Sequence, residues 1–266
     1  MLLSLDIGNS SVSFALFDIN DPSCPLIVSS KISCTKNRSC DEYAVMIRNI
    51  LDLKIQSDKY KITCAAISSV VPSVTRSVAN AAKILCGSDP FMVGPGIKTG
   101  FKISINDPAA LGSDIVANIA AALQITNSPL VVFDAGTANT VTVVDNSNTL
   151  IGTAIMPGIR VSADALSNNA ELLDSISLDS KDLPLMGKTT DQSVRSGLIY
   201  GNALMLDGYI RNIRESITPK DSDCKLGLIA TGGFAEMITS KCRNKFIVDD
   251  SLTLKGIASL YVKNHK

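Results

Sequence analysis

The sequence predicts an α/β protein built from two similar lobes, each a mixed sheet flanked by helices. One observation is a repeat: Leu2-Leu3-Ser4-Leu5-Asp6-Ile7-Gly8-Asn9-Ser10 returns as Leu130-Val131-Val132-Phe133-Asp134-Ala135-Gly136-Thr137-Ala138. Each copy is an apolar run ending in Asp-x-Gly and a small polar turn, and a second apolar run then closes on an aspartate, Asp18 or Asp145. A second observation is that both copies lead into a third strand-like run and then into alternating helical and strand spacing, as expected of a sheet covered by helices. The third is size: 266 residues, 45% of them hydrophobic, suffice for two lobes of about 130 residues with a core in each.

In the first half, strands are expected at 2–6, 11–18 and 25–32, with Asp21-Pro22 turning the chain between the last two. Tyr43, Ile47, Ile50 and Leu51 recur at helical spacing within Asp41–Leu53. Lys61–Ile67 reads as a buried strand running into Ser68-Ser69-Val70-Val71-Pro72, and Pro72 suits the first turn of a helix that continues to Leu85. A short strand at 91–93 leads into the loop Gly94–Gly100, and the alanine-rich stretch Pro108–Leu123 reads as a helix or helix pair interrupted near Gly112. The second half repeats the plan, with strands at 130–134, 139–145 and 150–155, a turn at Met156-Pro157-Gly158, and helices at about 159–173 and 190–216. A strand at 226–230 meets Thr231-Gly232-Gly233 and a helix from about 234 to 241, and a short strand at 246–248 and a helix from about 252 follow. The lobes are expected to divide within 108–125, giving an N-terminal lobe of residues 1–115 and a C-terminal lobe of residues 116–266.

Composition removes several functions. Twenty-five basic residues balance twenty-five acidic ones without a Lys/Arg block, so a nucleic-acid surface, which needs clustered cations against phosphates, is not expected. No apolar stretch approaches membrane-spanning length, and Met1–Asp6 reaches a charge too early for a secretory leader, so a cytoplasmic location is expected. Seven irregularly spaced cysteines without a C-x-x-C read as reduced thiols. With His265 the single histidine, neither a zinc site nor a serine or cysteine nucleophile with a histidine base is expected.

The repeated hairpin carries the chemistry. A strand with a carboxylate at its tip, a glycine that lets backbone amides approach an anion, and a return strand suit phosphate and metal. Asp6 and Asp134 are therefore candidate magnesium ligands, because magnesium keeps several waters and takes one or two carboxylates. Capping of its own turn is the alternative role for each. Gly8, Asn9 and Ser10 in one copy, and Gly136, Thr137 and Ala138 in the other, are positioned to offer amides and hydroxyls to phosphate oxygens. Two such copies suggest two lobes holding one nucleotide in the cleft between them.

The chain resembles the actin, sugar-kinase and Hsp70-type phosphotransferase superfamily, and more narrowly the type III pantothenate kinases. The resemblance rests on Asp6-Ile7-Gly8-Asn9-Ser10, Ser68–Pro72, Gly94–Gly100, Pro108–Asp114 and Asp134–Ala138. It continues through Pro157-Gly158-Ile159, Gly187-Lys188-Thr189-Thr190, Thr231-Gly232-Gly233 and Leu252–Gly256, in the family's order and nearly end to end. It implies two ribonuclease-H-like lobes and ATP-dependent phosphorylation of the primary hydroxyl of pantothenate, the entry to coenzyme A biosynthesis. It also implies Mg²⁺, a monovalent cation (K⁺ or NH₄⁺), and a homodimer.

By the same resemblance, Gly112, Ser113 and Asp114 belong to the acceptor site, with Asp114 the general base toward the acceptor hydroxyl. Thr190 resembles a threonine that reaches the acceptor site from the neighbouring subunit; a helix N-cap is the other reading. Gly232 and Gly233 would line the adenosine side, or form a plain turn into a helix. Lys98 is either a phosphate contact or a solvated loop lysine.

Two positions depart from the family pattern. Its Gly-x-Asp-Arg motif is Gly112-Ser113-Asp114-Ile115 here, and a tyrosine usual upstream is replaced near Ile105. A charge-assisted hydrogen bond is worth about 1.5–3 kcal/mol, so losing the arginine would weaken acceptor binding roughly 10- to 100-fold unless another cation, such as Arg160, replaces it. A kinase of a more apolar alcohol, and a nucleotide-binding accessory protein without turnover, are the competing expectations.

Overall fold

The computed structural model describes residues 1–55, 60–169, 176–217 and 225–265. Along the first half run β1 (Leu2–Ile7), β2 (Ser11–Phe17), β3 (Leu26–Ser33), α1 (Cys40–Ile55), β4 (Cys64–Ser69), α2 (Pro72–Cys86), β5 (Phe91–Met92), β6 (Lys102–Ile103) and α3 (Ser113–Ile125). The second half contains β7 (Leu130–Ala135), β8 (Ala138–Val144), β9 (Thr149–Pro157), α4 (Ile159–Asn169), α5 (Thr190–Ile217), β10 (Gly227–Thr231), α6 (Ala235–Thr239), β11 (Ile247–Val248) and α7 (Leu252–Asn264). Contacts divide the chain into unit 1, of Met1–Lys102, Asn106–Ile125 and Ser251–Lys266, and unit 2, of Ile103–Ile105 and Thr126–Asp250. The boundary expected after residue 115 falls inside α3, which unit 1 keeps to Ile125, and unit 1 also takes back α7. The two helices pack on each other through buried Ala117, Ala120, Ile257 and Ala258.

Unit 1 holds a five-stranded sheet in the order β3-β2-β1-β4-β5, antiparallel through the first three strands and parallel from β1 to β5. The two-residue alternation of β1 sets both faces. Leu3, Leu5 and Ile7 pack with Tyr43, Ile47 and Leu51 of α1 and with Val74 and Val78 of α2. Leu2 faces Val116, Leu254 and Ile257 instead, and Ser4 Oγ donates to Leu254 O at 3.0 Å on that side. Asp6 therefore lies on the α3 and α7 face. The start of α1 is fixed by a reciprocal cap, in which Glu42 N donates to Ser39 Oγ at 3.2 Å and Ser39 N to Glu42 Oε2 at 2.7 Å. The break foreseen near Gly112 is real: a 3₁₀ turn at Pro108–Ala110 precedes α3.

Unit 2 repeats the topology. Its sheet runs β11-β10-β7-β8-β9-β6, so β9-β8-β7-β10-β11 corresponds to β3-β2-β1-β4-β5, and β6 is added beside β9. Val131, Phe133 and Ala135 of β7 pack with Ile199, Ala203, Leu206 and Ile210 of α5. β6 is not marked in the sequence, because two residues carry no periodicity. The helix expected at 159–173 runs over Ile159–Asn169, and its last expected turn lies outside the described residues, as does Cys224. No described helix is long and apolar enough to cross a membrane.

Candidate active site

The two hairpins match in burial position by position. In each strand four buried residues precede a half-buried aspartate and a buried residue, Ile7 or Ala135. A half-buried glycine and two exposed residues follow, Asn9 and Ser10 or Thr137 and Ala138. The core thus pins the strand and delivers the carboxylate where burial gives way to solvent. Gly8 N donates to Ser11 O at 3.0 Å and Gly136 N to Ala138 O at 3.2 Å, closing the turns. The second turn is one residue shorter, since Asp6 pairs with Ser13 but Asp134 with Thr140.

In unit 2 the chain is pressed against this hairpin from two sides. Gly158 N donates to Thr137 O at 3.1 Å, and a Cβ at Gly158 would lie 2.4 Å from both Gly136 O and Thr137 O. Thr231 stands in register with Asp134 across the parallel β7–β10 pair. Beyond it Gly232 takes a φ of +93°, and a Cβ there would lie 2.6 Å from Asp134 Oδ1 and from Ala135 C and O. Only glycine combines that backbone with that approach. Phe234 N donates to Ala135 O at 3.2 Å, tying the segment down. The helix after it, α6, has five residues rather than the eight expected, so its axial dipole is small. What marks Thr231-Gly232-Gly233 is the close approach of its backbone to Asp134 and Ala135. Gly233 is exposed and has open space around it.

Unit 1 brings Asp6 and Asp114 to one corner through serines. Asp6 is in register with Ser68 across the parallel β1–β4 pair. Ser68 Oγ lies 2.9 Å from Ser113 Oγ, which accepts from Ser69 N at 2.9 Å and donates to Ser69 O at 3.1 Å. The start of α3 is bolted to the end of β4, with Asp114 as its next residue. Burial pushes the Asp114 carboxyl above its usual range, against the pull of the Ile115 amide, which donates to its Oδ1 at 2.8 Å. A raised carboxylate is a stronger base. The Ser113 hydroxyl is fully engaged in this clasp. Ser68 and Ser69, which the motif string contains without marking as structural, are what orient Asp114.

The remaining candidates divide. Thr189, not Thr190, caps α5: Gln192 N donates to Thr189 Oγ1 at 3.2 Å and Lys188 N to Gln192 Oε1 at 2.9 Å. Thr190 is the first helical residue and is exposed. Lys98 is held by its backbone, donating to Asn264 Oδ1 at 2.8 Å, with its side chain exposed. Ile115 is buried at 7% exposure, Ile105 is half-buried, and Arg160 is exposed in the first turn of α4 beside Gly158. No group of three or more metal-ligating side chains exists among the described residues. Magnesium takes one or two carboxylates, and Asp6 and Asp134 are each half-buried carboxylates at a strand end, the kind of ligand that metal takes.

Comparison with known proteins shows the family. The family model for type III pantothenate kinase matches residues 2–212. A type III pantothenate kinase of Shouchella clausii (strain KSM-K16) is 35% identical over 265 residues, covering 99% of this chain and 100% of that protein. The activator of 2-hydroxyisocaproyl-CoA dehydratase from Clostridium difficile, solved with bound ADPNP, superposes with a TM-score of 0.55 at 12% identity, over 99% of this chain and 94% of that one. Component A of (R)-2-hydroxyglutaryl-CoA dehydratase from Acidaminococcus fermentans gives 0.57 at 12% identity, over 100% and 99%. The fold is that of the actin-like and sugar-kinase ATPases, as the sequence predicts. With its family segments in order and a matching relative along its length, the chain belongs to the type III pantothenate kinase family.

Proposed function

We propose that the protein transfers the γ-phosphoryl group of ATP to the primary hydroxyl of pantothenate, giving 4′-phosphopantothenate for coenzyme A biosynthesis. The observation that carries this reading is Asp114, a carboxylate of raised basicity held at the family's acceptor motif by the Ser113–Ser68 clasp. The acceptor oxygen forms the new bond to the γ-phosphorus, the bond to the bridging oxygen breaks, and ADP leaves with that electron pair. Asp114 accepts the hydroxyl proton. Asp6 and Asp134 hold magnesium, which when bound neutralises phosphate charge. The exposed turns of Gly8-Asn9-Ser10 and Gly136-Thr137-Ala138 present amides to phosphate oxygens, and Gly232 and Gly233 serve the adenosine side.

A monovalent cation, K⁺ or NH₄⁺, completes the nucleotide requirement, and Thr190 serves the acceptor site of a neighbouring subunit in a homodimer in the cytoplasm. Exposed apolar side chains on unit 2, among them Ile155 at 67%, Met186 at 79% and Leu204 at 54%, support self-association. A second reading has a specific basis: Ile115 and Ile105 put apolar surface where the family has polar groups, which favours a less anionic alcohol.

The test is ADP release from ATP, Mg²⁺ and K⁺ with pantothenate. Pantothenate-dependent turnover that disappears in Asp114→Asn supports the proposal. Turnover only with another alcohol supports the second reading, and nucleotide binding without turnover refutes both.

A further inference from the structure

Unit 2 buries an asparagine where unit 1 buries a valine. In the duplicated hairpins Ala135 pairs with Asn139 and Ile7 with Val12, so Asn139 and Val12 hold the same place, the second residue of the return strand. Both are 0% exposed. Val12 belongs to the apolar core of unit 1. Asn139 instead faces α5, where its Nδ2 donates to Asn202 Oδ1 at 2.8 Å. Asn202 Nδ2 in turn donates to Leu198 O, one helical turn back, at 2.6 Å. A backbone carbonyl only accepts, so Leu198 O fixes which way the Asn202 amide faces, and Asn202 then fixes Asn139. The Asn139 Oδ1 at the end of this series accepts no hydrogen bond among the described residues.

An apolar side chain serves the fold at this place, as Val12 does, and a buried amide with an unpaired oxygen costs stability. Residues that break such a rule without a stabilising return concentrate at functional sites. What Asn139 adds is a directional tie. It directly follows Gly136-Thr137-Ala138, the turn offered to phosphate, in which Gly136 has no side chain and the Ala138 methyl is exposed. α5 is a firm anchor for that tie, since Ile199, Ala203 and Leu206 are buried against Phe133, Ala135 and Val141. From the start of α4, Gly158 N donates to Thr137 O at 3.1 Å. The turn is thus fixed to α4 by a backbone bond and, through its next residue, to α5 by a side-chain bond.

We propose that Asn139 is a positioning residue for phosphoryl transfer: through Asn202 it sets the distance of the Gly136-Thr137-Ala138 turn from α5, and with it where the turn's amides meet the nucleotide phosphates. The inference rests on the nucleotide-site reading of this hairpin. Fully buried, Asn139 reaches no nucleotide itself and acts through the backbone that follows the turn. Supports of this kind matter because a small displacement of a binding constellation is costly in affinity and rate.

Isothermal titration of Mg·ADP into the full chain, paired with thermal melts, tests the assignment. Two variants are compared with the parent: Asn139→Val, which copies the first hairpin, and Asn139→Val/Asn202→Leu, which replaces both partners by apolar groups. Without nucleotide, both should melt near the parent, because an apolar pair of similar shape can stand in for a buried polar one. Mg·ADP should nonetheless bind both about tenfold more weakly. Parental affinity in the two variants would overturn the proposal and leave the nucleotide-site reading intact. A weaker affinity accompanied in both by a large fall in melting temperature would assign the pair to the fold instead. Failure of the parent to bind Mg·ADP would overturn the nucleotide-site reading, and this inference with it.

Discussion

Ser113 and Ser68 share a buried hydroxyl–hydroxyl hydrogen bond of 2.9 Å, and through it the first turn of α3 is attached to the strand beside β1. Replacing Ser113 by alanine leaves the Ser69 amide and the Ser68 hydroxyl short of a partner, a loss of about 1–3 kcal/mol. The Ser113→Ala variant should melt several degrees lower and, if the hydroxyl acts by positioning Asp114, lose kcat more than KM for the acceptor. Ser113→Thr restores the hydroxyl and should recover much of kcat. A KM effect without a kcat effect would argue that Ser113 binds the acceptor directly.

Asp114→Asn should lower turnover by about 10²–10⁴-fold while leaving nucleotide binding intact. The direction of the carboxyl's shift gives a second readout. A folded-state pKa raised above the unfolded value means that the native state binds the proton more tightly, so this group favours folding most below the unfolded pKa. That contribution is lost as pH rises through the folded pKa. At neutral pH the asparagine variant should therefore melt no lower than the parent, and its relative advantage should shrink toward acid. The acid limb of the kcat profile should likewise fall above the ordinary carboxylate range. Thermal melts across pH, paired with turnover, check both.

Gly232→Ala combines a left-handed backbone with a Cβ placed 2.6 Å from the Asp134 carboxylate. Strain of this kind costs about 1–3 kcal/mol and moves Asp134. The stabilisation that Mg·ADP gives in a thermal-shift experiment should be largely abolished. Gly233→Ala, whose Cβ meets no protein atom within 4 Å, should leave the melting temperature of the nucleotide-free protein nearly unchanged.

Arg160→Ala tests what replaces the arginine absent at Ile115. If the Arg160 guanidinium meets the pantothenate carboxylate, KM for pantothenate should rise roughly 10- to 100-fold with kcat nearly unchanged. An unchanged KM in steady-state assays removes Arg160 from the acceptor site.

Much of this was legible in the residues, for physical reasons. The duplicated Asp-x-Gly hairpins announce themselves because a buried apolar run must stop where a carboxylate meets solvent, and both strands end as the pattern requires. The return of α7 to unit 1 was not legible, since an amphipathic helix does not encode which of two similar sheets it covers. Thr189 and Thr190 are adjacent, and only the bonds from Lys188 and Gln192 decide which caps α5. The role of Ser113 depended on a partner 45 positions away, beyond the reach of any local spacing rule.

Asp6 and Asp134, equivalent residues of a duplicated hairpin, are both expected to be needed for magnesium-dependent nucleotide binding. ATP affinity measured across a magnesium titration for the parent, Asp6→Asn and Asp134→Asn tests it most directly. Each substitution alone should remove most of the strengthening that magnesium gives. A magnesium dependence matching the parent in either variant would remove that aspartate from the metal site.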